Sequence, residues 1–498
     1  MTNPLYDTMF APHAGQETPF LHLPDGSTVT HAAFINRAAQ LAHALQGYGV
    51  RAGDRVAVQV GKCPDMLALY AACAQTGAIF LPLNTAYTAA ELSYFVSDSG
   101  AALLVGDPAR RGELEGVAHA AGAAFATLDA QGGSLSDSAD TQATQFDTVA
   151  RHRDDLAAFL YTSGTTGRSK GAMLSQQNLI SNAQTLTELW QFTRDDVLLH
   201  ALPIFHTHGL FVATNVMLIA GGAMVFMPKL DTDQLIDAMP RATSMMGVPT
   251  FYTRLLDDPR FDRACTANMR LFISGSAPLL AATHVAFEER TGHRILERYG
   301  MTETNMNTSN PYAGERRAGT VGLPLPDVEL RIADADGSEL PRGETGVVEV
   351  RGPNVFQGYW NMPEKTEEDM RPDGFFITGD LGVQDADGYV TIVGRGKDMI
   401  ISGGYNIYPK ELELLLDAQP GVLESAVIGV AHADMGEVPL AVLVQGDGPQ
   451  IDVAAIEAAM ATAVARFKQP RSYRVVDALP RNTMGKVQKV ALRKEYGT

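Results

Sequence analysis

Short apolar runs alternate with amphipathic stretches over the first 230 residues of the chain. The apolar runs 55–60 and 101–106 predict two strands, and residues 65–76 between them have the spacing of a helix. The run 156–161 predicts a further strand, which enters a loop of glycines and hydroxyl residues before a helical pattern begins near Gln176. This alternation predicts an α/β fold with much parallel sheet.

Two other patterns interrupt or end the alternation. Residues 132–144 are rich in Gly, Ser, Asp and Thr and predict a surface loop, whereas residues 269–273 predict another strand. Beyond Arg331 the sequence turns β-rich, with Asp–Gly turn signals at 336–337, 373–374 and 387–388.

A chain of 498 residues is too long for one hydrophobic core, so at least two domains are expected. A smaller unit of mixed pattern follows Gly396. We therefore expect a large N-terminal domain, 1–396, made of several subdomains with mixed sheets. A small α+β C-terminal domain, 397–498, is expected to join it through a hinge.

Composition narrows the classes of function. Lys and Arg number 39 and Asp and Glu 57, which gives a net charge of −18 and disfavours binding to nucleic acid or anionic membranes. Cys63, Cys73 and Cys265 form no C-x-x-C pair and predict free, buried thiols of a reducing compartment. No signal-like start is present, and no apolar run approaches the ~20 residues that span a bilayer. We expect a cytoplasmic enzyme.

The loop from Tyr161 to Gly171 is the strongest local signal for chemistry. Its glycines let the backbone approach an anion, its N–H groups and hydroxyls can surround phosphate oxygens, and Lys170 adds positive charge. The Walker A spacing is absent, and a flexible surface loop is the alternative. The candidate nucleotide-binding residues here are Thr162, Ser163, Gly164, Thr165, Thr166, Gly167 and Lys170.

Four further segments carry candidate ligands for a nucleotide. In the segment 298–304, Tyr299 could stack on a purine, Thr302 could bond a phosphate, and Glu303 could hold Mg²⁺, which prefers carboxylate and phosphate oxygens. Asp380 and Arg395 follow strand-like runs and could grip ribose hydroxyls together. A lysine, Lys486, follows a glycine turn near the C-terminus and, taken alone, would be an ordinary solvated residue.

Taken in order, these motifs resemble those of the superfamily of acyl- and aryl-CoA synthetases, firefly-type luciferases and peptide-synthetase adenylation domains. The resemblance runs over nearly the whole chain. It implies an AMP-forming acid–thiol ligase that uses ATP, Mg²⁺ and coenzyme A. It also implies that the loop binds the β- and γ-phosphates, that Thr302 contacts the α-phosphate and Glu303 the magnesium, and that Lys486 is catalytic.

The same resemblance assigns the remaining roles. It puts Ser276, Ala277 and Pro278 in one wall of the adenine and acyl sites, opposite the nucleotide-binding motif of Tyr299, Gly300 and Met301. It implies that Asp380 and Arg395 bind ribose and that His206 lies beside the acyl carboxylate. It also implies that Lys397 and Asp398 form the hinge between the domains, and that Gly403 and Gly404 border the coenzyme A tunnel. One departure is that the family often has Lys-Pro-Lys where this chain has Arg168-Ser169-Lys170. His206 and His208 lack a third ligand for zinc.

Arg298 is the residue that indicates which carboxylic acid the protein would activate. It precedes the Tyr-Gly-Met-Thr-Glu motif, at a position that faces the acyl pocket in this superfamily. A guanidinium in an apolar pocket needs an anion, which a second carboxylate on the substrate would supply. The segments 297–309, 247–250 and 316–322 resemble malonyl-CoA synthetases, so malonate is expected, with methylmalonate left open. The candidate substrate-binding residues are Arg298, His206, Ser276 and Met306.

Several alternatives stay open at this stage. Arg298 could instead pair with Glu297 or another acid of the protein and only shape the pocket. The chain could activate a medium-chain or aryl monocarboxylate, load a carrier protein as a stand-alone adenylation enzyme, or bind an adenylate as a non-catalytic regulator. Lys486 would be a target for an acetyltransferase and deacetylase, because acetylation removes its charge.

Overall fold

The computed structural model describes residues 2–162, 169–402, 405–432, 435–464, 466, 468–482 and 485–497, with the side chains of 405, 406 and 436 excepted. The chain divides into two compact units. The first comprises Met1–Ala318, Pro324–Glu329 and Arg351–Gly374, and the second comprises Gly319–Leu323, Leu330–Val350 and Phe375–Thr498. The predicted C-terminal domain, 397–498, lies wholly within the second unit, and its boundary at a hinge stays a prediction.

One sheet of the first unit is built around parallel strands that are continuous apolar runs. Strand Arg55–Gln59 pairs in parallel with Ile79–Pro82 on one side and with Leu103–Gly106 on the other. Because both faces are covered, these strands are buried along nearly their whole length. The spatial order of the sheet is Ala124–Thr127, Leu103–Gly106, Arg55–Gln59, Ile79–Pro82, Leu156–Thr162 and Lys170–Ser175.

A second, larger sheet of the first unit mixes parallel and antiparallel pairs. Its central strands pair in parallel, and its ends are antiparallel. The order is Leu323–Pro324, Asn305–Ser309, Leu296–Met301, Leu271–Ser274, Ser244–Gly247, Val197–His200, Ala223–Phe226, Pro19–His22 and Thr28–Thr30. The strand predicted at 269–273 is confirmed as Leu271–Ser274, which begins two residues later than predicted.

Helices cover these sheets. The predicted helix 65–76 is confirmed as Pro64–Thr76 and packs on His31–Gly47. The α-helices of the first unit are Pro4–Met9, His31–Gly47, Pro64–Thr76, Ala89–Ser99, Arg111–Ala120, Ser134–Asp140, Gln176–Leu189, Asn215–Ala220, Thr232–Ala238, Pro249–Leu256, Ala281–Thr291 and Pro363–Glu368. Short 3₁₀ helices span Ala11–His13, Pro108–Arg110 and Met239–Arg241, and a π-helix spans His208–Thr214.

Two predictions about local structure were wrong. The segment 132–144 is not only a loop, because Ser134–Asp140 is a helix that buries Leu135 and Ala139, one turn apart. Strand Leu156–Thr162 pairs antiparallel with a further strand, Lys170–Ser175, which was not predicted and which precedes the helix. The helix does begin at Gln176, since Ser175 and Asn178 form a reciprocal cap.

The second unit contains two sheets and is β-rich, as predicted beyond Arg331. The first sheet has the order Glu329–Ala333, Thr345–Arg351, Phe376–Gln384 and Val390–Arg395. The second has the order Tyr405–Ile407, Ile400–Ser402, Gly436–Gln445 and Val422–His432, with Ser472–Val476 parallel to Gly436–Gln445. The helices are Pro409–Asp417, Val453–Ala463 and Lys489–Tyr496, with a 3₁₀ turn at Gly396–Asp398. The fold class, α/β with a small α+β unit, is confirmed.

All three cysteines are free thiols, as expected. Cys63 and Cys73 are buried, and Cys265 is half-buried. Burial raises the pKa of Cys63 to about 12, so this thiol stays protonated. Among the residues that the structure describes, no helix has both the length and the apolar character needed to cross a membrane.

Candidate active site

A β-hairpin presents the Tyr-Gly-Met-Thr-Glu motif. Strands Leu296–Met301 and Asn305–Ser309 pair antiparallel, and Thr302 and Glu303 lie in the turn between them. Tyr299, Gly300 and Met301 form the end of the first strand and are half-buried. The hairpin therefore places the candidate purine, phosphate and magnesium ligands on consecutive residues at one edge of the sheet.

Glu303 is buried and accepts a hydrogen bond of 3.0 Å from the hydroxyl of Tyr359. Burial and the negative charge of Glu303 raise the pKa of Tyr359, so the phenol remains a donor. The Nζ atom of Lys170 lies 4.0 Å from the ring centroid of Tyr359 and 3.5 Å from the Asp369 carboxylate. Tyr359 therefore joins the candidate metal ligand to the candidate phosphate-binding lysine.

The carboxylate of Glu303 fits a magnesium ion shared with phosphates. Within the described ranges no three His, Cys, Asp or Glu side chains gather in a metal-binding group. Mg²⁺ in nucleotide sites is commonly held by one or two carboxylates together with substrate phosphates and water, so a single buried carboxylate suits that arrangement. Thr162 ends one strand and Lys170 begins the next, on either side of the predicted phosphate-binding segment. The other predicted loop residues, Ser163, Gly164, Thr165, Thr166 and Gly167, lie outside the described residues.

Arg298 is 3% exposed, and its guanidinium lies beside Gly275. A Cβ atom at residue 275 would be 2.4 Å from the Cζ of Arg298, so only glycine leaves room for the side chain. The Nε and Nη2 atoms are buried and have no hydrogen-bond partner in the described part of the chain. Burial lowers the pKa of Arg298 to about 9. The guanidinium thus places a buried positive charge where the described protein atoms provide no acceptor for Nε or Nη2.

The alternative in which Arg298 pairs with Glu297 is not observed. The two residues are neighbours on one strand and point to opposite faces of the sheet. The Glu297 carboxylate lies 3.7 Å from His284 Nδ1 instead. No ion pair joins Arg298 to an acidic side chain among the described residues.

His208 is a second buried polar group near Arg298. Its Nδ1 atom lies 3.1 Å from Ser276 Oγ, and its Nε2 atom is buried without a partner among the described residues. Burial, followed by the positive charge of Arg298, holds the pKa of His208 well below its ordinary value, so the ring is neutral. Ser276 has φ +70°, a left-handed conformation that is rare for serine and that points to a functional constraint.

The other predicted acyl-site residues are neighbours of Ser276 and His208 along the chain. Ser276, Ala277 and Pro278 follow strand Leu271–Ser274, and exposure increases along them from half-buried to exposed. His206 is half-buried, and its Nδ1 atom lies 3.4 Å from the backbone N of His208.

Met306 is 2% exposed, and two amides fix its backbone. Asn182 donates to the carbonyl oxygen of Met306 at 2.9 Å and accepts from its N–H at 3.2 Å, while Asn354 donates to the same carbonyl at 3.1 Å. Met306 is thus a rigidly held apolar residue.

In the second unit, Asp380 and Arg395 are a cross-strand pair. The sequence placed each residue after a strand, but both lie inside strands and face each other in register. The Nε atom of Arg395 lies 2.8 Å from Asp380 Oδ1. A buried carboxylate and a half-exposed guanidinium are therefore already paired, which suits recognition of ribose hydroxyls.

Lys486 belongs to the same charged cluster. Its N–H donates to Asn482 Oδ1 at 2.9 Å, and its carbonyl accepts from Asn482 N–H at 2.9 Å, which closes a tight turn. The residue is exposed, yet desolvation by the surrounding protein and the positive charge of Arg395 lower its pKa to about 8. Burial lowers the pKa of Lys397 as well.

The predicted hinge residues form a short turn. Lys397 and Asp398 lie in the 3₁₀ turn Gly396–Asp398, and Arg493 of the last helix contacts the Asp398 carboxylate at 2.9 Å. The predicted coenzyme A tunnel residues, Gly403 and Gly404, lie outside the described residues.

Sequence reasoning missed two residues of this site. Tyr359 was overlooked because 56 residues separate it from Glu303, and nothing local marks it as a partner. His208 was considered only as a metal ligand. Its spacing of two from His206, at the start of a segment rich in apolar residues, was a usable signal for a second buried imidazole.

Comparison with known proteins gives the family. The family model described as AMP-binding enzyme matches residues 11–360, and the model of the AMP-binding enzyme C-terminal domain matches residues 411–486. The chain therefore belongs to the AMP-binding enzyme family.

Individual relatives refine the class. The crystal structure of ATP-bound MatB from Rhodopseudomonas palustris is 54% identical, covers 100% of this chain and 99% of that chain, and superposes with a TM-score of 0.98. A feruloyl-CoA synthase of an Amycolatopsis species is 37% identical over 99% of this chain and 98% of its own length. A malonate–CoA ligase of Arabidopsis thaliana is 34% identical over 90% of this chain and 79% of its own length. The chain is an AMP-forming carboxylate–CoA ligase, with ATP and coenzyme A as substrates.

Proposed function

We propose that this ligase is a malonyl-CoA synthetase, which converts malonate, ATP and coenzyme A to malonyl-CoA, AMP and diphosphate through malonyl-adenylate. The observation that carries the proposal is the buried guanidinium of Arg298, which has no acidic partner among the described residues. The malonate–CoA ligase relative supports the same substrate.

The charge of Arg298 favours a dicarboxylate substrate. An unpaired charge buried in a protein is costly, and a second carboxylate on the substrate offsets that cost. The Nε and Nη2 atoms of Arg298 can donate side by side to such a carboxylate, and His208 can add a donor from Nε2. A monocarboxylate would leave Arg298 desolvated, and the α-ammonium of an amino acid would be repelled by it.

In adenylation, one oxygen of malonate attacks the α-phosphorus of ATP and diphosphate leaves. We propose that His206 orients the reacting carboxylate, while Thr302 and Lys486 stabilise the charge that develops at the α-phosphoryl group. Asp380 and Arg395 hold the ribose, and Tyr299 lies against the adenine. Glu303 would hold Mg²⁺, which when bound neutralises charge on the departing diphosphate.

In the second step the thiol of coenzyme A attacks the carbonyl of the adenylate, and AMP leaves with the bonding electrons. No protein nucleophile is required. We propose that Lys486 serves only the first step and that Gly403 and Gly404 border the path of the thiol. Methylmalonate is a further candidate substrate.

The test is diphosphate exchange into ATP measured across a panel of acids. The panel contains malonate, methylmalonate, butyrate and ferulate, with thioester formation measured in parallel. We expect kcat/KM to be highest for malonate. A wild-type enzyme that prefers butyrate or ferulate would overturn the substrate while leaving the ligase class intact.

The variant Arg298→Leu tests whether the guanidinium binds the second carboxylate of the substrate. Breaking a buried charge pair costs ~3–5 kcal/mol, so kcat/KM for malonate should fall about 10²–10³-fold while that for butyrate is retained or rises. Arg294→Leu is the matched control, because Arg294 is an exposed arginine bonded to Glu288. Equal impairment on both acids would contradict the dicarboxylate assignment.

A further inference from the structure

A half-buried lysine, Lys62, contacts the loop that carries the two site histidines. The Nζ atom of Lys62 donates three hydrogen bonds, to His200 Nδ1 at 2.7 Å, to the His200 carbonyl at 2.7 Å and to the Leu202 carbonyl at 2.9 Å. It also lies 4.4 Å from the ring centroid of Phe226. Burial holds the pKa of Lys62 well below its ordinary value. Three protein groups occupy the hydrogen-bonding positions around Nζ, so the side chain has none left for a ligand.

His200 connects Lys62 to the far end of the loop. Its Nε2 atom lies 2.8 Å from the carbonyl of Gly209, which also accepts a bond of 2.9 Å from Thr214 Oγ1. Burial and the charge of Lys62 hold the pKa of His200 well below its ordinary value, so the ring is neutral. It accepts at Nδ1 and donates from Nε2, and this tautomer links Lys62 to Gly209.

The loop between these two anchors is closed tightly. A Cβ atom at Gly209 would lie 2.1 Å from the carbonyl oxygen of Pro203, so the start of the π-helix packs directly on the start of the loop. His206 and His208 lie between these two points. Their positions therefore depend on an arrangement that begins at Lys62, which follows strand Arg55–Gln59 of the other sheet.

We propose that Lys62, acting through His200, is a positioning residue for the acyl site that sets where His206 and His208 meet the acid. The proposal rests on the proposed function of that site, since it assumes that these histidines face the reacting acid. Lys62 itself does not touch the substrate. It fixes the backbone carbonyls at residues 200, 202 and, through His200, 209.

The experiment replaces Lys62 with methionine, which keeps the length of the side chain and removes its donors. The full-length enzyme is assayed by diphosphate exchange with whichever acid the wild type activates best. We expect kcat/KM for that acid to fall about 10–100-fold, as for a catalytic group displaced by about 1 Å, while the KM for ATP changes by no more than about twofold. Lys229→Met is the matched control, because Lys229 is exposed, lines the same cavity as Lys62 and should leave both constants unchanged.

A second variant keeps the proposal testable if Lys62→Met does not fold. Lys62→Arg retains the charge, but its longer planar head cannot place one nitrogen at the point shared by three acceptors, so an intermediate loss of about threefold to tenfold in kcat/KM for the acid is expected. Wild-type kinetics for the acid in a folded variant would overturn the proposal, as would an equal loss towards the acid and ATP. Because the acid is chosen by the wild type, an error in the malonate assignment gives a different result from an error in the role of Lys62.

Discussion

Gly275 and Arg298 are matched in shape, since a Cβ atom at residue 275 would lie 2.4 Å from the Cζ atom of Arg298. The residue at the end of one strand thus decides whether the guanidinium on the next strand can occupy its position. The sequence alone made Arg298 the candidate for selecting the acid, but gave no reason to connect it with Gly275.

Gly275→Ala should therefore impair use of the acid through Arg298. The added methyl group pushes the guanidinium away, so kcat/KM for malonate should fall about 10–100-fold, with a smaller effect on butyrate. Steady-state kinetics on both acids measures the effect. Gly275→Ala combined with Arg298→Leu should be little worse than Arg298→Leu alone, because the second change removes the group that the first displaces. Fully additive losses would contradict this coupling.

Arg298→Leu should raise the stability of the ligand-free enzyme. The buried charge lacks an acidic partner within the described residues, and leucine in its place replaces a desolvation cost with apolar contact. Replacing buried ionic groups by apolar residues has stabilised other proteins by about 1–4 kcal/mol, so a higher melting temperature is expected without ligand. Added malonate should stabilise the wild type and not the variant. A lower melting temperature for the ligand-free variant would show that the guanidinium contributes to the fold.

Lys486→Ala should separate the two half-reactions. Loss of one preorganised charge should slow adenylation by about 10²–10³-fold, and thioester formation from supplied malonyl-adenylate should remain near normal. Rapid-quench measurement of each step provides the comparison. Enzymatic acetylation of Lys486 should reproduce the alanine phenotype, because it removes the same charge. Equal loss in both steps would exclude a role confined to the first.

The pH dependence of adenylation should report Lys486. Its pKa is lowered to about 8, so the charged form predominates below that pH and is lost as the pH rises through it. Adenylation kcat/KM for ATP should therefore fall on the alkaline side with an apparent pKa of about 8 in the free enzyme. Lys486→Arg stays charged and should lose this alkaline limb. An unchanged limb in that variant would assign it to another group.

Asp398→Pro tests the predicted hinge. Proline fixes φ at about −65°, so the variant should adenylate malonate yet fail to form the thioester if backbone rotation at this residue links the two steps. Asp398→Ala is the matched control, because it also removes the carboxylate bound by Arg493 but leaves φ free. Full overall activity in Asp398→Pro would place the rotation elsewhere.

Elements with a strong local pattern could be predicted from the sequence. The strand near 55–60, the helix near 65–76 and the start of the helix at Gln176 follow from apolar spacing and from capping by Ser175. The helix Ser134–Asp140 was missed because its composition is typical of loops, and tertiary burial of Leu135 overrides that local preference.

The candidate site was predictable where a motif is contiguous and not where a contact is remote. Glu303 and Lys486 could be proposed from their own segments, whereas the bond between Tyr359 and Glu303 spans 56 residues and that between Lys62 and His200 spans 138. Asp380 and Arg395 face each other because of the register between their two strands, and neither segment reveals that register by itself. Such contacts are set by the tertiary fold and leave no periodic trace in the chain.

The π-helix from His208 to Thr214 has a consequence for how this site can change over evolutionary time. A π-helical turn closes i→i+5 hydrogen bonds and so holds more residues than an α-helical turn, which closes bonds over four residues. Removing one residue within this segment would restore ordinary α-helical winding and would rotate the preceding side chains by about 100°. His208 would then leave Ser276, and the proposed acyl site would change in one genetic step without altering either sheet. The π-helical turn thus makes the proposed site sensitive to chain length at this one point.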